Sequence, residues 1–101
     1  MKLDYSDQAA RQAAAIDEWW VDNRPKNPAL FGIELLAAED ALLLAPYGRP
    51  VHRIVRGIEV RRFPMPKTRH HLYYYVDDIQ QLVQIVAVWG AIKKEEPELD
   101  L

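Results

Sequence analysis

The chain contains no cysteine, so disulfides, thiolate nucleophiles and cysteine-ligated zinc are all excluded, in keeping with a reducing compartment. No apolar run reaches the roughly 18 residues that a membrane span needs, and the opening Met1-Lys2-Leu3-Asp4-Tyr5 lacks the apolar segment of a signal peptide. The expectation is a cytoplasmic protein that does not enter a membrane. Histidines number only three. His70 and His71 are neighbours on a segment read below as a strand, where adjacent side chains point to opposite faces, and His52 has no defined place near them. No metal site or cofactor is expected. With 101 residues the chain can bury one core, but not a second one or a deep substrate cavity. Any site should lie on the surface.

What is present is a concentration of positive charge. Between Arg49 and His71 lie Arg49, Arg53, Arg56, Arg61, Arg62, Lys67 and Arg69 against Glu59 alone, a balance of 7 − 1 = +6 in a chain whose formal net charge is −2. The stretch runs into the aromatic segment Tyr73-Tyr74-Tyr75. Such a patch attracts anionic partners, although a solvated sheet face whose long side chains cover tyrosine rings is the plain alternative. Residues 1–48 balance it with 4 − 8 = −4.

Ala9, Ala13, Ile16 and Trp20 recur at helical spacing behind Ser6 as N-cap, so an amphipathic helix is expected over roughly 7–23. A second is expected to start at Asn27-Pro28, carry Phe31, Leu35, Ala38 and Leu42 on one stripe, and end at Pro46 and Gly48. The short link makes them an antiparallel hairpin. After Pro50 the period changes to two. Ile54, Ile58 and Val60 alternate with charged residues in a strand bent or turned at Arg56-Gly57 and ended by Pro64 and Pro66. His71 to Val76 reads as a second strand, and the apolar run Leu82 to Trp89 as a third, central one. Lys2 to Tyr5 adds a short edge strand. Lys93 to Leu101 reads as a charged, frayed tail.

Helices followed by strands imply an α+β domain, a helical hairpin packed on one face of a small antiparallel sheet with the other face free to bind. Leu72, Tyr74 and Val76 share the core side of their strand, leaving His71, Tyr73 and Tyr75 on the open side. Ile58 and Val60 are expected to face the helices, which would turn Arg61, rather than Arg62, toward the open face. Of the tryptophans, Trp20 fits the buried stripe, Trp19 its partner-accessible border, and Trp89 packing.

The order of these features, Asn27-Pro28 entering a helix with Phe31 and Leu35, Arg61-Arg62 on a strand, Thr68-Arg69-His70-His71 leading into Tyr73-Tyr74, and Val86-Ala87-Val88-Trp89-Gly90, resembles the RelE/ParE superfamily of toxins from bacterial type II toxin–antitoxin modules. The likeness runs from about residue 4 to Gly90, so residues 1–92 read as one RelE/ParE-like domain and 93–101 as its tail. It implies a β-α-α-β-β-β fold, growth arrest, and a cognate antitoxin that wraps the toxin in a hetero-oligomer. The RelE-like branch cleaves mRNA in the ribosome with basic sheet residues, an arginine after the glycine ending the last strand, and a C-terminal tyrosine. Here Ala91-Ile92-Lys93-Lys94 follows Gly90, with no arginine beyond Arg69 and no tyrosine beyond Tyr75. In that reading Arg61, Arg69, His71 and Tyr73 would supply the acid, base and cationic groups. The ParE-like branch poisons DNA gyrase and needs no hydrolytic residues, and it is the branch favoured here. Trp19, Arg62, His70, Tyr75 and Trp89 are then candidates for target or antitoxin binding.

Overall fold

In the computed structural model, which describes residues 1–101, the elements run β1 (Lys2–Tyr5), α1 (Asp7–Asn23), α2 (Leu30–Leu44), β2 (Val51–Val55), β3 (Ile58–Met65), β4 (His70–Asp77) and β5 (Leu82–Gly90). Both helices cover one face of a five-stranded sheet of order β1-β5-β4-β3-β2, the α+β architecture expected. Two details differ. The sheet is mixed, because β1 pairs with β5 in parallel while every other pair is antiparallel. Two helices separate β1 from the rest of the sheet, so its direction is not dictated by a hairpin. The segment after Pro50 is a true hairpin: Arg56 and Gly57 both have positive φ, at 52° and 79°, the geometry of a tight two-residue turn. The sheet therefore has one strand more than a bent single strand would provide.

Helix α1 begins where the sequence indicates, with the Ser6 hydroxyl accepting from the Ala9 amide at 3.1 Å. Helix α2 starts later than Asn27-Pro28. Residues 24–29 form turns, with Asn27 N–H donating to the Arg24 carbonyl and Leu30 N–H to that of Asn27, so Asn27 closes a turn and caps nothing. Strand β3 likewise passes through Pro64, paired with His71. Beyond Arg61 it has β4 as its sole neighbour, and on a free edge a missing N–H costs no ladder bond. No helix is long and apolar enough to cross a membrane.

The sheet is apolar on both faces. Toward the helices, Leu72, Tyr74, Val83, Ile85, Val88 and Met65 pack with Ala9, Phe31, Ala38 and Leu42. On the far face Val60, Tyr73, Val86 and Ala87 form a second cluster against which Ile58, Tyr75, Trp89, Leu99 and Leu101 pack. The parity expected for β3 is thus reversed: Ile58 and Val60 turn away from the helices, and Arg62 with them. Arg61 instead lies beside Tyr47, its guanidinium 5.2 Å from the ring centre, and donates to the Arg49 carbonyl. Alternation points Val60 toward the helices only where a sheet has one apolar face, and this sheet has two.

Residues 93–101 are that layer. They are not frayed but lie across the far face of the sheet, with Pro97 buried.

Candidate binding surfaces

Two irregularities and one strand phase build the far face. A bulge between Val51 and Arg53 brings both His52 and Arg53 to this side. A second, at Tyr73/Tyr74 opposite Val86, lets Val86 and Ala87 both face outward and carries Trp89 to the same side. The phase of β4 adds His71, Tyr73 and Tyr75. The resulting surface holds His52, Arg53, Arg62, His71 and Tyr73 together, with Tyr73 at the centre. The Tyr73 ring centre lies 5.7 Å from that of His52 and 6.4 Å from that of His71, both edge-on. Arg62 is its direct partner on β3.

The tail covers this set. The Glu96 carboxylate accepts from the Tyr73 hydroxyl at 2.9 Å and meets His52 Nε2 at 2.5 Å. On either side the carbonyl of Glu95 accepts from Trp89 Nε1 at 3.0 Å, and that of Pro97 from Arg53 Nη2 at 3.0 Å. The Leu101 carbonyl accepts from Arg56, and that of Glu98 from Gln8 on α1. Protonation follows this geometry. The hydrogen bond with His52, helped by that from Tyr73, holds the Glu96 carboxyl below its usual range. Burial, then the bond to Glu96, pushes the Tyr73 phenol up, with Arg62 opposing. Burial, then the charge of Arg62 and of His52, pushes the His71 imidazole down. The phenol is thus held in its protonated form against a carboxylate held in its ionised one, with the His71 ring, its proton affinity lowered, edge-on to that phenol.

A second surface lies at the end of the sheet. Trp19, Trp20 and Arg24 from the last turns of α1 and its end, Lys67 and Arg69 from the β3–β4 turn, His70 at the start of β4, and Lys93 after β5 line an open cleft of about 560 Å³. Arg69 takes a positive φ of 62° in the turn. Arg24 lies 4.9 Å from the centre of the Trp19 ring, which stands edge-on to Trp20. None of Arg24, Lys67, Arg69 and Lys93 is paired with a carboxylate. His70 turns toward the helices, edge-on to Phe31 at 5.4 Å, and burial lowers its pKa, opposed by its contact with Thr68 and by Glu34.

The residues named from the sequence therefore fall in three places. His71, Tyr73, Arg62, Tyr75 and Trp89 share the far face; Trp19, Arg69 and His70 share the cleft; Arg61 stands alone beside Tyr47. Sequence reasoning missed His52, Arg53, Gln8 and Glu96. One signal was available for Glu96: an acidic tail bearing Pro97, Leu99 and Leu101 complements a basic, aromatic strand segment in both charge and apolarity. Compared with protein-family models, curated proteins and solved structures, the chain matches none.

Proposed function

We propose that this protein is a growth-arresting toxin of a bacterial type II toxin–antitoxin module, of the ParE-like kind that acts by binding DNA gyrase rather than by cleaving RNA. The family part of the reading is supported by the order of elements and motifs given above. The observation that carries the choice of branch is the position of Glu96. RNA cleavage requires a phosphate beside the base, the acid and the stabilising cation. Here an ionised carboxylate is bonded to Tyr73 and His52, beside His71 and Arg62 on the same face, and would repel that phosphate. Arg61 and Arg69 lie elsewhere. The unpaired cations of the cleft and the exposed Trp19 ring remain open for a target protein.

An antitoxin needs apolar surface, and α2 offers it. Ile33, Leu36 and Leu44 are 61%, 62% and 88% exposed, and an apolar groove between α1 and α2 is lined by Ala13, Val21, Pro28, Ile33 and Leu36, the kind of patch that marks a protein partner.

The test is induction of the chain without its antitoxin, with pulse-labelling of DNA and protein synthesis over the following minutes. DNA synthesis is expected to stop first. An early stop in translation that His71→Ala abolishes would replace this reading with the RelE-like ribonuclease, and undiminished growth under strong expression would remove the toxin assignment itself.

A further inference from the structure

The tail is held to the sheet in an unusual way. Between residues 94 and 100 its backbone amides make no backbone hydrogen bond; the tail's backbone bonds are Lys93 to Gly90 at one end and Leu101 to Leu99 at the other. It is not an added strand. The tail instead behaves as a guest, offering four carbonyls and one carboxylate to side-chain donors of the sheet and α1, and two leucines to the apolar cluster around Val60 and Val86. The fit is incomplete, because Arg53 Nε is buried without an acceptor although Nη2 of the same side chain reaches the Pro97 carbonyl. A buried unpaired donor on a cationic side chain is costly, and a carboxylate bridging both nitrogens would satisfy it.

We infer that the sheet face beneath residues 93–101 is a peptide-binding groove for an acidic, extended segment of a partner chain, and that the tail is its occupant in cis. The groove sets three requirements: a carboxylate for Tyr73 and His52, a proline-sized residue next to it, and aliphatic side chains two residues apart beyond that. A further acid reaching Arg53 would distinguish a partner segment from the tail. A nucleic acid would satisfy the charge but leave the surface vacated by Pro97, Leu99 and Leu101 uncovered, so peptide is the occupant the contacts favour. An intramolecular competitor reduces apparent affinity by the fraction of time it fills the site. The groove is the face on which Glu96 meets Tyr73 and His52, so failure of the peptide to bind would count against this inference alone, whereas displacement by RNA would count against the choice of branch as well.

The experiment uses the full chain with its tail weakened by Glu96→Ala and Leu99→Ala, and as probe a fluorescein-labelled peptide with the sequence of residues 93–101. Fluorescence anisotropy is expected to show binding at least about tenfold tighter than to the unmodified chain. Adding Arg53→Ala to the weakened chain should abolish it. A second variant, Pro97→Gly alone, leaves the leucine anchors in place and should show a smaller gain, which guards against loss of fold in the double variant. Absence of binding to both variants, equal binding of a scrambled peptide, or displacement of the peptide by a short single-stranded RNA at lower concentration would each overturn the inference.

Discussion

Tyr73 and Glu96, 23 residues apart in the chain, meet across the far face of the sheet, the phenol donating to the carboxylate at 2.9 Å. Tyr73 is 1% exposed, and beneath the tail its hydroxyl has Glu96 as acceptor. Tyr73→Phe keeps the ring and removes the donor. Glu96 retains His52 and solvent, so the loss should be at the modest end for a hydrogen bond to a charged group, about 1.5 kcal/mol, read as a lower urea midpoint with unchanged slope. No change in midpoint would mean that the tail leaves the sheet in solution.

Glu34 performs a similar office on the other side of the molecule. Its carboxylate accepts from the Lys67 amide at 2.7 Å, the Thr68 amide at 2.9 Å and the Thr68 hydroxyl at 2.6 Å, tying α2 to the β3–β4 turn. Thr68 is the one buried polar side chain, 7% exposed. Glu34→Ala removes the acceptor of all three donors and should cost roughly 2–3 kcal/mol, with Glu34→Gln costing less because an acceptor remains. Hydrogen exchange at the Thr68 amide should accelerate in the alanine variant; retained protection would assign the turn's order to something other than Glu34.

Stability should depend on pH in two windows. His70 and His71 have pKa values below the ordinary 6.5 because of burial, so the unfolded chain binds protons that the folded chain refuses, and stability falls as pH drops through about 6.5. Glu96 is held below its ordinary 4.5, so its contribution is complete above that value and is lost as pH falls through the lower folded value. Urea midpoints measured from pH 8 to pH 3 should decline in both windows. His70→Gln and His71→Gln should flatten the first, and Glu96→Gln the second; an unaltered profile would contradict these assignments.

Charge in the cleft can be removed without disturbing the turn. Arg69 has positive φ, a conformation that asparagine tolerates, so Arg69→Asn should change stability by less than about 0.5 kcal/mol. If the protein is the toxin proposed above and the cleft contacts its target, growth arrest should weaken while binding of the proposed antitoxin at the α1–α2 groove is retained. Undiminished arrest would move the target surface elsewhere.

Much of this architecture is readable from the chain. The spacing of Ala9, Ala13, Ile16 and Trp20 behind Ser6 yields α1 at its observed bounds, because capping and amphipathic periodicity are local properties. Alternation places Leu72, Tyr74 and Val76 on the core side of β4, and Arg56-Gly57 marks a turn, for the same reason. Local signals also mislead where a neighbour decides the outcome. Pro64 ends a strand only if both edges are paired, and Asn27-Pro28 starts a helix only if the chain does not first turn.

The composition of the far face belongs to another level. Which arginine joins His71 and Tyr73 depends on strand phase, and the bulges near His52 and Val86 shift that phase in ways a two-residue period does not report. Whether the face is open depends on residues 93–101, whose proline, leucines and carboxylate gain their roles through contacts with strands tens of residues away. Helices, strands and turns follow from interactions within a few residues; the pairing of Arg62 with Tyr73, the exclusion of Arg61 and the covering by Glu96 arise from interactions that exist once the sheet has assembled.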